Sequence, residues 1–327
     1  MKKLLTLLFL MALMLTVLVS CGEEESSIGE NGKTNIRVAV LNGTTGFGMA
    51  ELMEKSENGK TSNNYTFTVE QDPTAVRDQL ISGDIDIAAL PTNLASVVYN
   101  RTQGGVKVIA LNTLGVLYVV ENGKAIDSIK DLEGKTIYTP EQNPSFVLQY
   151  ILKKNNISAT IDSVTYSKPD ALRDALATGQ LGENAIAVLP EPMVTIATSK
   201  NSSLRVALDL TEEWNKVEST PLVQGCVVVR NAFFQKNKDA VEAFLAEYKT
   251  SIEYLKTNVD DAAKLIVEHK IFANEAVAKK AIPNCNVVYM DGAEMKSAMS
   301  GFLKALQTIA PASIGNNLPT DDFYFVK

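Results

Sequence analysis

The sequence predicts an α/β protein built from two lobes of similar construction. Two segments, residues 73–91 and 169–190, are versions of one pattern that lie about a hundred residues apart. Each copy reads as a short helix, a glycine that ends it (Gly83 or Gly179) and a buried strand that finishes in Leu-Pro. Two distant copies do not make a solenoid, which needs at least three repeats. They indicate two lobes, and the space between such lobes is a natural ligand site.

Strands and helices alternate through the first part of the chain. Short β-branched runs predict strands at 36–41, 65–69 and 85–90, and a helix is predicted at 49–55. Asp72 is placed to cap the next helix, with a proline at the first helical position. This order is typical of a parallel sheet with crossover helices.

A second unit begins near residue 129. It has its own first strand at 136–138, then a helix at 144–154 that Asn143 should cap. The polar stretch 209–221 looks like a return crossing, after which a strand at 223–229 leads into amphipathic helices. We therefore expect one lobe from residues 35–120 and 222–327, and the other from residues 121–221.

The amino terminus has the pattern of an export signal. Lys2 and Lys3 precede an uncharged apolar run at 4–19, which is too short for a comfortable membrane span. The run ends in Leu-Val-Ser-Cys21, which looks like the lipobox of bacterial lipoproteins and implies cleavage before Cys21 and lipidation of its thiol. Residues 1–20 are then the signal peptide, and the acidic, glycine-rich residues 21–34 a flexible tether. The expected location is the outer face of the cell membrane, through this lipid anchor, or the periplasm.

Composition excludes several classes of function. Without Lys2 and Lys3 the chain keeps 29 basic residues against 38 acidic ones, a net charge of about −9 that argues against nucleic-acid binding. The single histidine, His269, stands between two charged residues, so we expect it at the solvated surface. With one histidine and no clustered cysteines, neither a metal nor any cofactor is expected. A disulfide between Cys226 and Cys285 is left open, since export permits it and apolar surroundings disfavour it.

The glycine-rich loop at 42–48 permits a second interpretation. Between a strand and a helix it is close to the phosphate loop of Rossmann dehydrogenases, and Glu70 or Asp72 could serve as the ribose carboxylate. An exported NAD-binding enzyme therefore stays as an alternative, although reduced nicotinamide is not available outside the membrane. The simpler reading is a ledge of backbone N–H groups and a helix N-terminus. No Gly-x-Ser-x-Gly elbow or Walker loop occurs, and the sequence offers no convincing catalyst.

Several loops should meet at the carboxyl ends of the two sheets, where open α/β folds bind ligands. They are rich in small polar side chains beside apolar surfaces, which is typical of a pocket for a small molecule. The predicted ligand-binding residues are Asn42, Thr44, Thr45, Phe47, Thr92, Asn93, Asn112 and Thr113 in one lobe, and Thr139, Gln142, Asn143, Ser145, Glu191 and Met193 in the other.

The whole chain from residue 18 onward resembles a known family. The matching segments, in order, are residues 18–21, 42–52, 83–95, 131–137, 189–192 and 227–231. They are similar to substrate-binding lipoproteins of bacterial ABC transporters, of the nitrate/sulfonate/taurine and thiamine-pyrimidine-precursor type. The resemblance implies a type II periplasmic-binding-protein fold, with two lobes that close over a central cleft by a hinge. It also implies a monomer that delivers a small solute to a membrane permease driven by an ATPase, without catalysis.

The charged residues of the predicted site loops indicate the chemical class of the ligand. The predicted loops carry no Arg or Lys but include Glu141 and Glu191, which favours a neutral or cationic nitrogen heterocycle, such as a vitamin precursor, over sulfonate or nitrate. Helix N-termini at residues 46–49 and at Ser145 favour anions instead. A ligand sensor that signals to a membrane receptor would share all these features.

Overall fold

The computed structural model describes residues 27–326 of the 327-residue chain. The predictions for the signal peptide and Cys21, and those for most of the tether, lie outside the described residues. Within residues 27–326, none of the helices has the length and apolar character needed to cross a bilayer.

The first lobe is built on a six-stranded sheet with the order β11-β4-β10-β3-β1-β2. Strands β1, β2 and β3 run parallel, whereas β10 runs antiparallel to both β3 and β4. The strands are β1 (Asn35–Leu41), β2 (Asn64–Glu70), β3 (Ile87–Pro91), β4 (Val106–Leu114), β10 (Val223–Arg230) and β11 (Val287–Met290).

The second lobe is built on a five-stranded sheet with the order β7-β6-β8-β5-β9. Here β6 is parallel to β7 and β8, and β5 is antiparallel to β8 and β9. The strands are β5 (Leu117–Asn122), β6 (Thr136–Tyr138), β7 (Thr160–Asp162), β8 (Ile186–Pro190) and β9 (Leu204–Asp209). The predicted α/β class with two lobes is confirmed.

Helices cover both sheets and make the crossovers. In chain order they are α1 (Thr44–Phe47), α2 (Ala50–Glu57), α3 (Pro73–Ser82), α4 (Thr92–Thr102), α5 (Asn143–Lys154), α6 (Pro169–Ala177), α7 (Met193–Lys200), α8 (Leu210–Asn215), α9 (Asn231–Lys236), α10 (Lys238–Thr257), α11 (Val259–Glu268), α12 (Glu275–Ala281) and α13 (Gly292–Gln307).

The two copies of the repeated pattern occupy equivalent places. They form α3 with β3 in the first lobe and α6 with β8 in the second, and each strand lies third from the same sheet edge, beside the strand that follows a crossing between the lobes. Asp72 caps α3 as predicted, because its carboxylate accepts a hydrogen bond of 2.8 Å from the Thr74 backbone N–H. Gly83 then ends α3 in the left-handed region, at φ 88°.

The chain crosses between the sheets twice. Only Gly115 and Val116 separate β4 from β5, whereas the second crossing runs from β9 through α8 to β10. The crossings lie against each other, since a Cβ added to Gly115 would stand 2.2 Å from Thr211 Oγ1 and 3.0 Å from Leu222 Cδ2. Glycine at position 115 therefore allows the two crossings to pack closely.

The hydrophobic core continues from one lobe into the other. Trp214, which belongs to the second crossing, packs between Tyr150 of α5 and Phe302 of α13, with ring centroids 5.0 Å and 5.6 Å away. Its indole N–H donates to the Thr220 carbonyl at 2.7 Å, so the buried ring has its polar atom satisfied.

The cysteines and the histidine settle two points left by the sequence. Cys226 and Cys285 are both buried and unpaired, and burial raises the pKa of the Cys285 thiol to about 12. The prediction that His269 is a solvated surface residue is wrong, since only 8% of the residue is exposed. The end of α11 packs beside α2, which encloses the imidazole although its sequence neighbours are charged.

Candidate ligand cleft

The predicted site residues cluster where the carboxyl ends of the parallel strands open toward the other lobe. In the first lobe β3 ends at Pro91, which is paired with Gly225 near the start of β10. In the second lobe β8 ends at Pro190, which is paired with Leu117 at the start of β5. Both strand ends therefore lie beside a crossing, so a ligand held there would contact both lobes.

The loop after β1 forms a ledge in the first lobe. Gly43 adopts φ 92° and ψ −158°, a conformation essentially reserved for glycine, and its N–H donates to the Ile271 carbonyl at 3.0 Å. The Thr44 hydroxyl then donates a hydrogen bond of 2.9 Å to the backbone carbonyl of Glu191 in the other lobe. This hydrogen bond joins the two lobes directly.

Phe47 has a packing role in the structure. It is 1% exposed and lies edge-to-face with Phe272, at a centroid distance of 6.0 Å. An exposed ring face on which a ligand could stack is therefore absent at Phe47.

Other predicted first-lobe residues are already bonded within the protein. Thr92 Oγ1 donates to the Val223 carbonyl at 3.1 Å, and Asn93 Nδ2 to the Ser313 carbonyl at 3.3 Å. Asn112 Nδ2 donates to the Thr45 carbonyl at 3.1 Å, while its Oδ1 accepts from Thr113 Oγ1. These side chains hold the strand ends and the ledge together.

The loop after β6 is different, because two of its buried polar atoms have no partner. Thr139 Oγ1 and Asn143 Oδ1 make no hydrogen bond within the described residues. Thr139 is fully buried and Asn143 is 7% exposed. An unsatisfied buried polar atom costs about 1–3 kcal/mol, so these two atoms mark a place where a ligand or water would be stabilising.

Gln142 lies between these two residues and has an unusual backbone. Its φ is 66° and its ψ is −133°, in a region that is essentially restricted to glycine. It is the N-cap of α5, so the helix begins one residue earlier than predicted, with Asn143 inside it. The strained turn presents the first turn of α5 at the strand end, and Ser145 in that turn accepts from Gln149 Nε2 at 3.3 Å.

Glu191 is a buried carboxylate at the start of α7. Its two oxygens accept from the backbone N–H and the hydroxyl of Thr195, at 3.1 Å and 3.0 Å. Burial raises the pKa of Glu191 above its ordinary value, and the Thr195 hydrogen bonds oppose that rise. Next to it, Met193 is partly exposed and its sulfur lies 3.2 Å from Arg173 Nη1.

The structure thus places most of the predicted residues at the facing edges of the two sheets. Some are bonded within the protein, some have unpartnered atoms and some are exposed. Asn42 and Gln142 are exposed and Thr45 is partly exposed, while Thr44 and Glu191 meet across the lobes. Two residues near these edges were not predicted from the sequence. Gln224 stands near the start of β10 and has an unpartnered, buried Nε2. The Tyr118 hydroxyl donates a hydrogen bond of 3.2 Å to the Asn284 carbonyl, between the lobes. The signal for Gln224 was its place directly after the polar crossing.

Chemically, the predicted site residues offer uncharged donors and acceptors and one carboxylate, and the guanidinium of Arg173 lies beside Met193. Arrangements of this kind bind small polar molecules through a few directed hydrogen bonds. The fold and the cleft define the class: the chain has the periplasmic-binding-protein fold, with two α/β lobes. It belongs to the family described as "Menaquinone biosynthesis", whose model matches residues 47–305.

Solved structures give the same classification. An ABC transporter protein from Parabacteroides distasonis is 25% identical, with a TM-score of 0.76 over 89% of this chain and 99% of that one. The periplasmic aliphatic sulphonate binding protein SsuA from Escherichia coli is 11% identical, with a TM-score of 0.70 over 88% and 95% of the two chains. The alkanesulfonate-binding protein SsuA from Xanthomonas axonopodis pv. citri, bound to MOPS, is 15% identical, with a TM-score of 0.62 over 88% and 94%.

The two sulfonate-binding proteins show the shared fold alone. Taken together with the Parabacteroides protein and the family match, the shared fold confirms the predicted resemblance to binding proteins of ABC transporters. No curated protein matches the sequence.

Proposed function

We propose that this protein is the substrate-binding lipoprotein of an ABC importer. It captures a small organic solute between its two lobes and delivers it to a membrane permease and its ATPase. Cys21 carries the lipid that holds the protein on the outer face of the membrane. Thr139 Oγ1 and Asn143 Oδ1 carry the proposal, because these buried atoms lack partners in the loop that follows the carboxyl end of β6.

Binding across the cleft explains how the loaded state would be recognised. A ligand shifts the equilibrium between open and closed lobes only if it contacts the closed form better. The hydrogen bond from Thr44 Oγ1 to the Glu191 carbonyl shows how near the two edges come. A solute bonded to Thr139 and Asn143 on one side and to the first-lobe ledge on the other would add contacts of the same kind.

The proposed solute is a neutral or cationic nitrogen heterocycle, such as a vitamin precursor. The predicted site residues include Glu191 and no cation, and an acceptor-rich edge suits N–H donors of a heterocycle. Thr139 Oγ1 offers either a donor or an acceptor, and Asn143 Oδ1 an acceptor.

A thermal-shift screen of the purified protein tests this function. The panel contains pyrimidines, other vitamins, amino acids, polyamines, sulfonates and NAD. We expect stabilisation by a heterocycle, followed by saturable 1:1 binding without turnover in calorimetry. Stabilisation by NAD alone would overturn the proposal and favour the exported enzyme, whereas stabilisation by sulfonates alone would overturn the ligand class.

Substitutions of the unpartnered atoms localise the site. Asn143→Ala should weaken ligand binding about tenfold, since one directed hydrogen bond is worth about 1–1.5 kcal/mol. Asn122→Ala is the matched control in the same lobe, because Asn122 lies at the opposite end of the second sheet and should leave the affinity unchanged. Equal effects of the two variants would place the pocket elsewhere.

Thr139→Val separates binding from folding. Valine has the shape of threonine without the unpartnered hydroxyl, so stability should stay level or rise while ligand affinity falls. Thr92→Val provides the contrast: the Thr92 hydroxyl is bonded to the Val223 carbonyl, and its loss should cost about 1 kcal/mol of stability.

One observation favours a second function. The family description names menaquinone biosynthesis, so the cleft could hold a precursor of that quinone and convert it. Glu191, with its raised pKa, would then be a candidate proton donor. Mass spectrometry after incubation with menaquinone precursors distinguishes the two functions: a changed mass supports the enzyme, and an unchanged, bound compound supports the binding protein. A sensor role would appear as capture of a membrane receptor instead of a permease.

A further inference from the structure

Three potential metal ligands gather on the first lobe, away from the facing sheet edges. Glu54 and Glu57 stand three residues apart on α2, which places them on one face of the helix. His269 follows the last residue of α11 and faces both of them. One ligand atom from each of the three side chains lies within 4.8 Å of the other two.

The histidine is buried and one of its nitrogens lacks a partner. Its side chain is 5% exposed, and Nε2 makes no hydrogen bond within the described residues. Nε2 lies 3.4 Å from Glu54 Oε2, and Nδ1 lies 3.4 Å from Glu57 Oε1. Both distances exceed the usual range of an N–H···O hydrogen bond, which ends at about 3.2 Å.

The distance between His269 Nε2 and Glu54 Oε2 suits a shared cation, and the Glu57 carboxylate completes a set whose ligand atoms lie within 4.8 Å of one another. Two ligands at about 2.1 Å from a tetrahedral metal ion stand about 3.4 Å apart. We propose that Glu54, Glu57 and His269 form a binding site for a first-row divalent cation, zinc being the best match to a nitrogen and oxygen donor set. Two carboxylates and a neutral imidazole would balance the charge of the ion.

The surroundings support this arrangement. The side-chain amide of Asn58 donates a hydrogen bond of 2.7 Å to Glu54 Oε1, which leaves Oε2 directed at the histidine. Such outer contacts orient metal ligands. Glu57 is 70% exposed on its side chain, so a cation can enter from solvent and water can complete its coordination.

The site is connected to the cleft through the chain that follows His269. The Ile271 carbonyl accepts from Gly43 N–H, and Phe272 packs against Phe47, so this segment supports the first-lobe ledge. A cation that ties α11 to α2 would therefore stiffen the support of that ledge. The role is structural and is separate from solute binding itself.

The test exploits the fact that the chain contains one histidine. Zinc chloride is titrated into the EDTA-treated, untagged protein while the single imidazole is followed by NMR and binding by calorimetry. We expect 1:1 binding, a shift of the ring signals and a higher melting temperature. Glu57→Gln, an exposed change that should not disturb folding, should weaken zinc binding about tenfold or more. His269→Ala should abolish it.

Glu268→Gln is the matched control, because Glu268 is an exposed carboxylate next to His269 and outside the cluster. It should change zinc affinity less than twofold. Zinc binding that leaves the imidazole signals unmoved, or that Glu57→Gln and Glu268→Gln weaken equally, would overturn the proposal. So would the absence of zinc binding by the wild-type protein.

Discussion

The two lobes share a strand arrangement but differ in how their first loops are made. The order β2-β1-β3-β10-β4 in one sheet corresponds to β7-β6-β8-β5-β9 in the other. After β1 in one lobe and after β6, which holds the corresponding place in the other sheet, one residue enters a nearly glycine-only region: Gly43 and Gln142 respectively. Glycine adopts it without strain, whereas a larger residue costs about 1–3 kcal/mol. The second lobe therefore keeps strain and unpartnered atoms at the edge where the proposed ligand binds.

The ends of the sheets away from the cleft differ in their charges. In the first lobe the buried Asp86 lies between Arg37 and Arg230, at 2.9 Å and 2.7 Å. In the second lobe the buried carboxylate is Glu121, on β5, the strand that follows the first crossing. It forms an ion pair with Arg205. The lobes repeat a backbone plan while each has its own ion pairs, so substitutions at equivalent places test how independent the lobes are.

The largest effect is expected at Asp86. Asp86→Asn leaves two arginines without their buried carboxylate and should cost about 3–5 kcal/mol in the free energy of unfolding, measured by urea denaturation. Asp78→Asn, at an exposed pair with Arg77, is the control and should cost under about 1 kcal/mol. Equal losses would contradict the assigned role of the buried cluster.

Lowering the pH should reduce the stability of the fold through the same carboxylate, Asp86. Burial alone would raise the pKa of Asp86, but the hydrogen bonds from Arg37 and Arg230 outweigh it and lower the pKa below its ordinary value. A lowered pKa stabilises the fold above the unfolded value, about 3.9, and this stabilisation is lost as the pH falls through the folded value. The wild-type protein should therefore lose stability more steeply than Asp86→Asn below about pH 4.

The next effect compares the two loop residues directly. Gly43→Ala should destabilise the protein by about 1–3 kcal/mol through its backbone alone, since an added Cβ would meet no atom within 4 Å. Gln142→Gly should have the opposite sign and raise the melting temperature, because strain relief exceeds the glycine entropy cost of about 0.5–1 kcal/mol. Thermal unfolding measures both, and a destabilised Gln142→Gly would show that the turn is not strained.

A smaller effect is expected at the short crossing. The Cβ of Gly115→Ala would overlap Thr211 Oγ1, and this overpacking should cost about 1–2 kcal/mol. Thr211→Ser keeps the hydroxyl, whereas Thr211→Ala removes it and should rescue Gly115→Ala. A double-mutant cycle by thermal unfolding measures the coupling, and additive losses would contradict contact between the crossings.

The smallest effect concerns Glu191. Its raised pKa means that the fold favours the protonated form, so this stabilisation is complete below the unfolded value and disappears as the pH rises through the folded value. Glu191→Gln, which can keep both contacts to Thr195, should not lose stability between pH 4.5 and neutrality as the wild type does. Melting temperatures across that range check the difference, and parallel curves would refute it. The same variant should weaken ligand binding.

Much of the fold could be predicted because its signals are local. The strand predicted at 65–69 is found as β2, and Asp72 caps α3 through chemistry that lies within three residues. The repeated Leu-Pro pattern predicted equivalent strand ends in the two lobes. The structure has them at Pro91, which ends β3, and at Pro190, which ends β8.

What escaped prediction depends on contacts between distant parts of the chain. Charged neighbours made His269 look exposed, although α2, more than two hundred residues earlier, encloses it. Phe47 looked like a free ring because its partner Phe272 comes from the far end of the same lobe. No local signal marks Gln142 as strained, since the conformation is imposed by the loop and by α5 together.

The two-residue connection at Gly115 and Val116 has a mechanical consequence. It supplies only four free backbone torsions between β4 and β5, so a rotation of one lobe relative to the other would require torsional changes at Gly115 and Val116. A small torsional change there is multiplied by the length of each lobe, which acts as a lever arm. The hydrogen bond between Thr44 and Glu191, formed by loops at the two lobe edges, would then break when the lobes separate and form when they close.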